Sequence, residues 1–113
     1  MTGLELQPVT AANEVPDVVH GTYLRNWDNI KVNGLCRMNR LHIHFACGLL
    51  SDKTVVSGVR RNVELYVYVN LNKALTSGIK FFKSPNGVIL SPGDDDGFVR
   101  PEYFLKVCLV KDG

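Results

Sequence analysis

All three histidines of the chain fall in two short motifs, His20-Gly21-Thr22-Tyr23 and His42-Ile43-His44-Phe45. An imidazole can donate or accept a hydrogen bond, so each is a candidate for gripping a sugar hydroxyl. Gly21 lets a ligand approach the backbone, whose N–H and C=O can pair with a carboxamide. His42 and His44 alternate along a predicted strand and share one face, with Leu41, Ile43 and Phe45 on the other. Such a pair lines a polar pocket, binds a metal, or stands on the wet face of a half-buried sheet. A zinc site would take further ligands from His20, Cys36 and Cys47, whose spacing matches no known ligand pattern, so no metal is assigned.

Two further motifs carry polar chemistry. Ser57-Gly58-Val59-Arg60, followed by Arg61, puts a guanidinium at a strand entrance, where it can fork onto two phosphate oxygens. A solvated arginine pair explains the same letters. Ser84-Pro85-Asn86-Gly87, running into Val88-Ile89-Leu90, offers a hydroxyl, an amide and turn amides beside an apolar wall. That suits one face of a nucleotide pocket and equally describes an ordinary hairpin turn. Gly-x-Gly-x-x-Gly and phosphate-loop signatures are missing, which argues against Rossmann and P-loop sites. The Asp94-Asp95-Asp96 run has no glutamate at calcium-loop spacing and reads as a solvated turn.

Strands must position most of these groups. Residues 1–15 read as an extended lead-in. Residues 15–23 form a strand that ends in a turn at Gly21. Thr22 then caps a helix with Leu24, Trp27 and Ile30 on one face, stopped by Asn33-Gly34. Strands follow at 41–46 and 63–70, the latter marked by Val63, Leu65, Val67 and Val69 alternating with polar and aromatic residues. Residues 52–61 are a short helix or turn and 74–78 a short helical segment. Residues 79–83 and 88–90 pair across the Ser84–Gly87 turn, 92–97 are a loop, and 101–110 close the sheet. The fold class is α+β, a mainly antiparallel split sheet with few short helices.

Length limits the chain to one core. At 45% apolar and 21% charged residues, and without a long apolar run, it has the composition of a globular domain rather than a membrane span. Three cysteines without a C-x-x-C pair point to a reducing compartment, cytosol or nucleus. The net charge of +2 is unevenly spread. Residues 20–61 hold seven Lys/Arg against Asp28 and Asp52, or +5, and the remainder is −3. A basic half can face phosphates, although solvated surface charge is the commoner reason for such asymmetry.

In order and spacing the four motifs, with Gly78-Ile79-Lys80-Phe81-Phe82, Pro92-Gly93, Gly97-Phe98 and Pro101-Glu102-Tyr103-Phe104, resemble the NAD-dependent RNA 2′-phosphotransferase family over residues 19–104. The resemblance implies an ADP-ribosyltransferase-like lobe over residues 16–113 that uses NAD as co-substrate. The family triad falls on His20, His44 and Val88, with the nicotinamide ribose near the two histidines. The Gly21 backbone takes the carboxamide, Thr22 and Ser57 line the nucleotide pocket, and Asn86, Gly87 and Val88 complete it. Arg60 matches the family's Gly-x-Arg pattern and is the implied catalytic arginine, acting with His20 and His44. Ser77 stands where many relatives place an aspartate.

The implied reaction has two steps. The internal 2′-phosphate of an RNA, as at a tRNA splice junction, attacks C1″ of NAD and expels nicotinamide. The 2″-hydroxyl then attacks that phosphate, giving repaired RNA and ADP-ribose 1″,2″-cyclic phosphate. Members of the family also carry an N-terminal winged-helix-like lobe with an Arg-His motif, for which this sequence has no matching segment. The expectation is a monomeric C-terminal lobe with weak or no turnover by itself, and no membrane partner. The alternatives are a non-catalytic NAD or ADP-ribose binding module, and an interaction domain whose histidines are merely on the surface.

Overall fold

The computed structural model describes residues 6–15, 17–47, 63–85 and 87–109. The expected 52–61 segment lies outside them. Seven strands make one sheet in the order β1 (Gln7–Val9), β6 (Lys80–Lys83), β7 (Ile89–Gly93), β4 (Ile43–Cys47), β2 (Val18–Thr22), β5 (Leu65–Val69) and β9 (Phe104–Leu109). Every pairing within it is antiparallel. A two-stranded ribbon joins β3 (Leu35–Cys36) to β8 (Phe98–Val99), also antiparallel. Helices α1 (Leu24–Asn33) and α2 (Leu71–Thr76) complete an α+β fold.

The core sits where alternating strands present their apolar faces. Phe45, Phe81, Ile89, Val19, Val67 and Val99 are almost wholly buried, each burial removing on the order of 1.5–3 kcal/mol worth of apolar surface from water for the larger side chains. In β5 Leu65, Val67 and Val69 are buried as the alternation predicts, but Tyr68 is buried too, so both faces are covered there, and the strand ends at Val69. The Asn70 side chain instead accepts the Lys73 N–H at 3.2 Å and caps α2.

Several boundaries differ from the sequence reading for identifiable reasons. The lead-in contributes an edge strand, because Gln7–Val9 pairs with Phe81–Lys83 and buries Val9. Strand β2 runs through Gly21 to Thr22 rather than turning there. A Cβ on Gly21 would lie 3.0–3.3 Å from the Val63 side chain, so the glycine makes room for core packing. Thr22 does not cap α1. Its hydroxyl accepts from Asn26 Nδ2 at 3.3 Å, and the Leu24 N–H at the helix start donates to the Glu64 carboxylate at 3.0 Å.

Leu24 is half exposed and Ile30 buried, so the packed face of α1 is narrower than expected. At its end Gly34 has φ +97° and donates its N–H to the Ile30 carbonyl at 2.8 Å, the stop the sequence predicts. Strand β4 begins at Ile43 and leaves Leu41 80% exposed, because residues 37–40 fold into a turn. Strand β7 extends to Gly93, which shortens the acidic loop to a tight turn. Pro101 opens a 3₁₀ turn, Pro101–Tyr103, before β9 starts at Phe104.

Candidate active site

Strand β4 changes neighbour halfway along its length. Ile43, His44 and Phe45 pair with Ser91, Leu90 and Ile89 of β7, whereas Ala46 and Cys47 pair with Val19 and Val18 of β2. Beyond Val19, β2 parts from β4 and the sheet opens. A cavity of about 490 Å³ occupies the opening, between the end of β2, the start of β4, one face of α1 and the segment 34–40. That volume lies within the usual range for small-molecule sites.

One side-chain bond bridges the gap. His20 Nδ1 lies 2.8 Å from the His44 carbonyl oxygen, where the ladder bond would otherwise be. A carbonyl only accepts, so Nδ1 carries a proton, and in the neutral form of the ring Nε2 is the acceptor nitrogen. The His20 ring also meets Phe45 edge-on, with centroids 5.8 Å apart, and Phe45 packs against Phe81. The buried face of β4 therefore fixes an imidazole that lines the cavity.

His42 and His44 both line the cavity from the β4 side. His44 is exposed, and His42 rests edge-on against Phe82. Burial, then the neighbouring His44, then the Arg37 guanidinium push His42 below its ordinary value, which favours its neutral form. From α1, Asn26 and Asn29 project from one helix face. Arg37, Asn39 and Arg40 form the opposite rim, and Arg37 Nη1 donates to the Arg40 carbonyl at 3.0 Å. Met38, between them, has φ +57°, a left-handed conformation uncommon outside glycine.

Among the described residues, no carboxylate lines this cavity. Two guanidiniums, three asparagine amides and three imidazoles give it groups suited to a polar, anionic ligand with hydroxyls to orient. Among the described residues, no three His, Cys, Asp or Glu side chains gather as a metal set.

The structure thus brings together His20, Gly21, Thr22 and His44 of the residues expected at the site. Gly87 and Val88 are not in its wall. They belong to the β6–β7 hairpin turn, where Gly87 N–H donates to the Ser84 carbonyl at 3.0 Å and Val88 N–H to Ser84 Oγ at 3.1 Å. Ser57, Arg60 and Asn86 lie outside the described residues. Asn26, Asn29, Arg37 and Arg40 were not anticipated. The sequence signals were an Asn-x-x-Asn pair at helical spacing and two of the arginines behind the local +5 charge.

A split antiparallel sheet whose opening forms a polar cleft lined by histidines and arginines defines the class of α+β protein. Residues 1–93 match the RNA 2′-phosphotransferase, Tpt1 / KptA family, and the chain belongs to that family. It is 43% identical over 113 residues to tRNA 2′-phosphotransferase 1 of Danio rerio, a match covering 98% of this chain and 50% of that protein. Similarity to the proteins of the same name reaches 48% over 109 residues in Mus musculus, covering 96% and 44%, and 45% in Homo sapiens, covering 96% and 43%. The chain spans about half the length, or a little less, of these curated relatives. No described helix is long and apolar enough to cross a membrane.

Proposed function

We propose that this chain is the NAD-binding lobe of an RNA 2′-phosphotransferase, which moves an internal 2′-phosphate of a spliced tRNA onto ADP-ribose. Its products are ADP-ribose 1″,2″-cyclic phosphate and nicotinamide. The observation that supports the reading best is the opening between β2 and β4, where three histidines and two arginines converge with no carboxylate among the described residues. A dinucleotide carries a diphosphate and ribose hydroxyls, and this donor set fits both.

When bound, NAD supplies an activated anomeric carbon and a leaving nicotinamide. The chain's own residues bind and orient. His20, tied to the His44 carbonyl, offers an acceptor nitrogen to a ribose hydroxyl. The His44 side chain contacts the same sugar from β4. The Gly21 backbone holds the carboxamide end, Thr22 lines the nucleotide pocket, and Arg37 and Arg40 face the diphosphate. Arg60 is assigned to the phosphate being transferred, where a cation stabilises charge that develops at phosphorus.

Titration of isotope-labelled chain with ADP-ribose and NAD tests the cleft. The expected result is saturable shifts at residues 20–23, 26, 29 and 42–44. No shift at millimolar ligand refutes the assignment of the cleft. Nicotinamide release and phosphate transfer, measured in the full-length protein with a 2′-phosphorylated RNA, separate an enzyme from a module that only binds.

A further inference from the structure

The wall that carries Arg37 is held from behind by a turn that does not line the cavity. Strands β7 and β8 are joined through Asp94–Gly97, where Asp94 N–H donates to the Phe98 carbonyl at 2.8 Å and Gly97 N–H to the Asp94 carbonyl at 2.9 Å. Asp94 Oδ1 accepts the N–H groups of Asp96 and Phe98 at 2.9 and 3.0 Å. Its Oδ2 lies 3.3 Å from Arg100 Nε, and Arg100 Nη2 reaches Asp96 at 3.3 Å. The same guanidinium donates through Nη1 to the Asn33 carbonyl at 3.1 Å, at the last residue of α1. One arginine thus ties the turn to the end of the helix that forms another wall of the cleft.

Arg37 rests on that turn. Its N–H donates to the Gly97 carbonyl at 2.9 Å. A Cβ at Gly97 would lie 2.9 Å from Arg37 Nε and 3.1 Å from Cγ, so the side chain runs directly over the glycine. Gly97 also has φ +85°, which side-chain-bearing residues rarely adopt.

We infer that the Asp94–Gly97 turn, clamped by Arg100, is a positioning device that sets where the Arg37 guanidinium stands in the cleft. Asp94, Gly97 and Arg100 are positioning residues, since none lines the cavity. The consequence for ligand affinity rests on the proposed reading of the cleft; the geometric claim does not. The carboxyl of Asp94 is suited to the task. Burial pushes it up, but the Phe98 and Asp96 N–H groups and Arg100 outweigh this and hold it below its ordinary value, so it stays charged.

Two readouts test the device in the full chain. The first needs no ligand and follows the His42 imidazole by NMR through a pH titration. Among the described residues, the groups acting on His42 are His44 of β4, two residues on, Arg37 from the rim and the Phe82 ring from β6. Because Arg37 lowers it, Arg37→Ala raises the His42 midpoint. Asp94→Asn, Gly97→Ala and the milder Arg100→Lys raise it in the same direction, and Asp94→Asn adds nothing once Arg37 is alanine. The second readout is ADP-ribose affinity by calorimetry. Arg37→Ala weakens binding by roughly tenfold or more, as for loss of a well-placed charged contact, the other single variants weaken it by less, and the Asp94/Arg37 double variant binds like Arg37→Ala alone.

An unmoved His42 in Asp94→Asn and Arg100→Lys, with a shift in Arg37→Ala, overturns the inference. So does an unmoved His42 in Arg37→Ala, or an equal loss from Asp94→Asn in both backgrounds, which marks a merely structural role. Failure of the wild-type chain to bind ADP-ribose removes the reading of the cleft, and the His42 titration still decides on the turn.

Discussion

The two histidines at the mouth of the cleft can be separated, because one serves through its ring and the other through its backbone as well. His20→Phe keeps an aromatic ring against Phe45, whose contact is edge-on at 5.8 Å, and removes the 2.8 Å bond from Nδ1 to the His44 carbonyl. A neutral hydrogen bond of this kind contributes about 0.5–1.5 kcal/mol net. For a domain of this size each kcal/mol lowers Tm by roughly 4–8 °C, so His20→Phe melts several degrees below wild type. His44→Ala leaves that carbonyl in place and removes an exposed side chain, so its stability stays within about 0.5 kcal/mol. Both variants lose affinity for ADP-ribose, by roughly two- to tenfold for each neutral contact removed. Thermal melts beside calorimetric titrations make the comparison. A His44→Ala protein that melts as low as His20→Phe refutes the division of labour. Wild-type affinity in both refutes the placement of the ribose.

Gly34→Ala meets a harder obstacle, because the new Cβ would sit 2.3 Å from the Val99 carbonyl at φ +97°. It costs about 2 kcal/mol or more in a denaturant titration, and a cost under about 0.5 kcal/mol disproves the contact. The Asp94 carboxyl, lowered in the folded chain from its ordinary 3.8, contributes stability that is present above pH 3.8. That contribution is lost as pH falls through the lower folded value, since the unfolded chain binds the proton first. Melts across that range lose the step in Asp94→Asn, and a wild-type-like acid profile in the variant contradicts the coupling. In the full-length protein, Arg60→Ala abolishes phosphate transfer to ADP-ribose, and unchanged transfer removes Arg60 from the mechanism.

What the sequence made legible was whatever depends on neighbours along the chain. The alternation of β5, the glycine stop of α1 and the turn at Ser84–Gly87 are local patterns, and all three stand in the structure. Less local features escaped. The start of α1 is satisfied by Glu64, forty residues away, so Thr22 was credited with a cap it does not make. The start of β4 is set by the Arg37–Arg40 turn, whose anchor is the carbonyl of Gly97. The first strand is paired by β6, more than seventy residues on.

At the site, His20 and His44 stand out through the order and spacing of the motifs that hold them, and the fold gathers them. Asn26, Asn29, Arg37 and Arg40 look on paper like any solvated helix face or basic turn. Only the parting of β2 from β4 turns that surface inward. The placement of Gly87 and Val88 away from the cavity wall follows from the hairpin, whose turn amides are already engaged by Ser84.

The shared strand β4 makes recognition and folding inseparable in this domain. Side chains on a strand alternate with a period of two, so a slip of one residue in β4 would expose Phe45 and bury His44 at a stroke. The pairing partner also changes between Phe45 and Ala46, one residue beyond the histidine. The histidine side of the cleft is therefore set by strand register. A designer wishing to reshape this pocket has little freedom to move its histidines, and must work instead from the exposed asparagines of the helix.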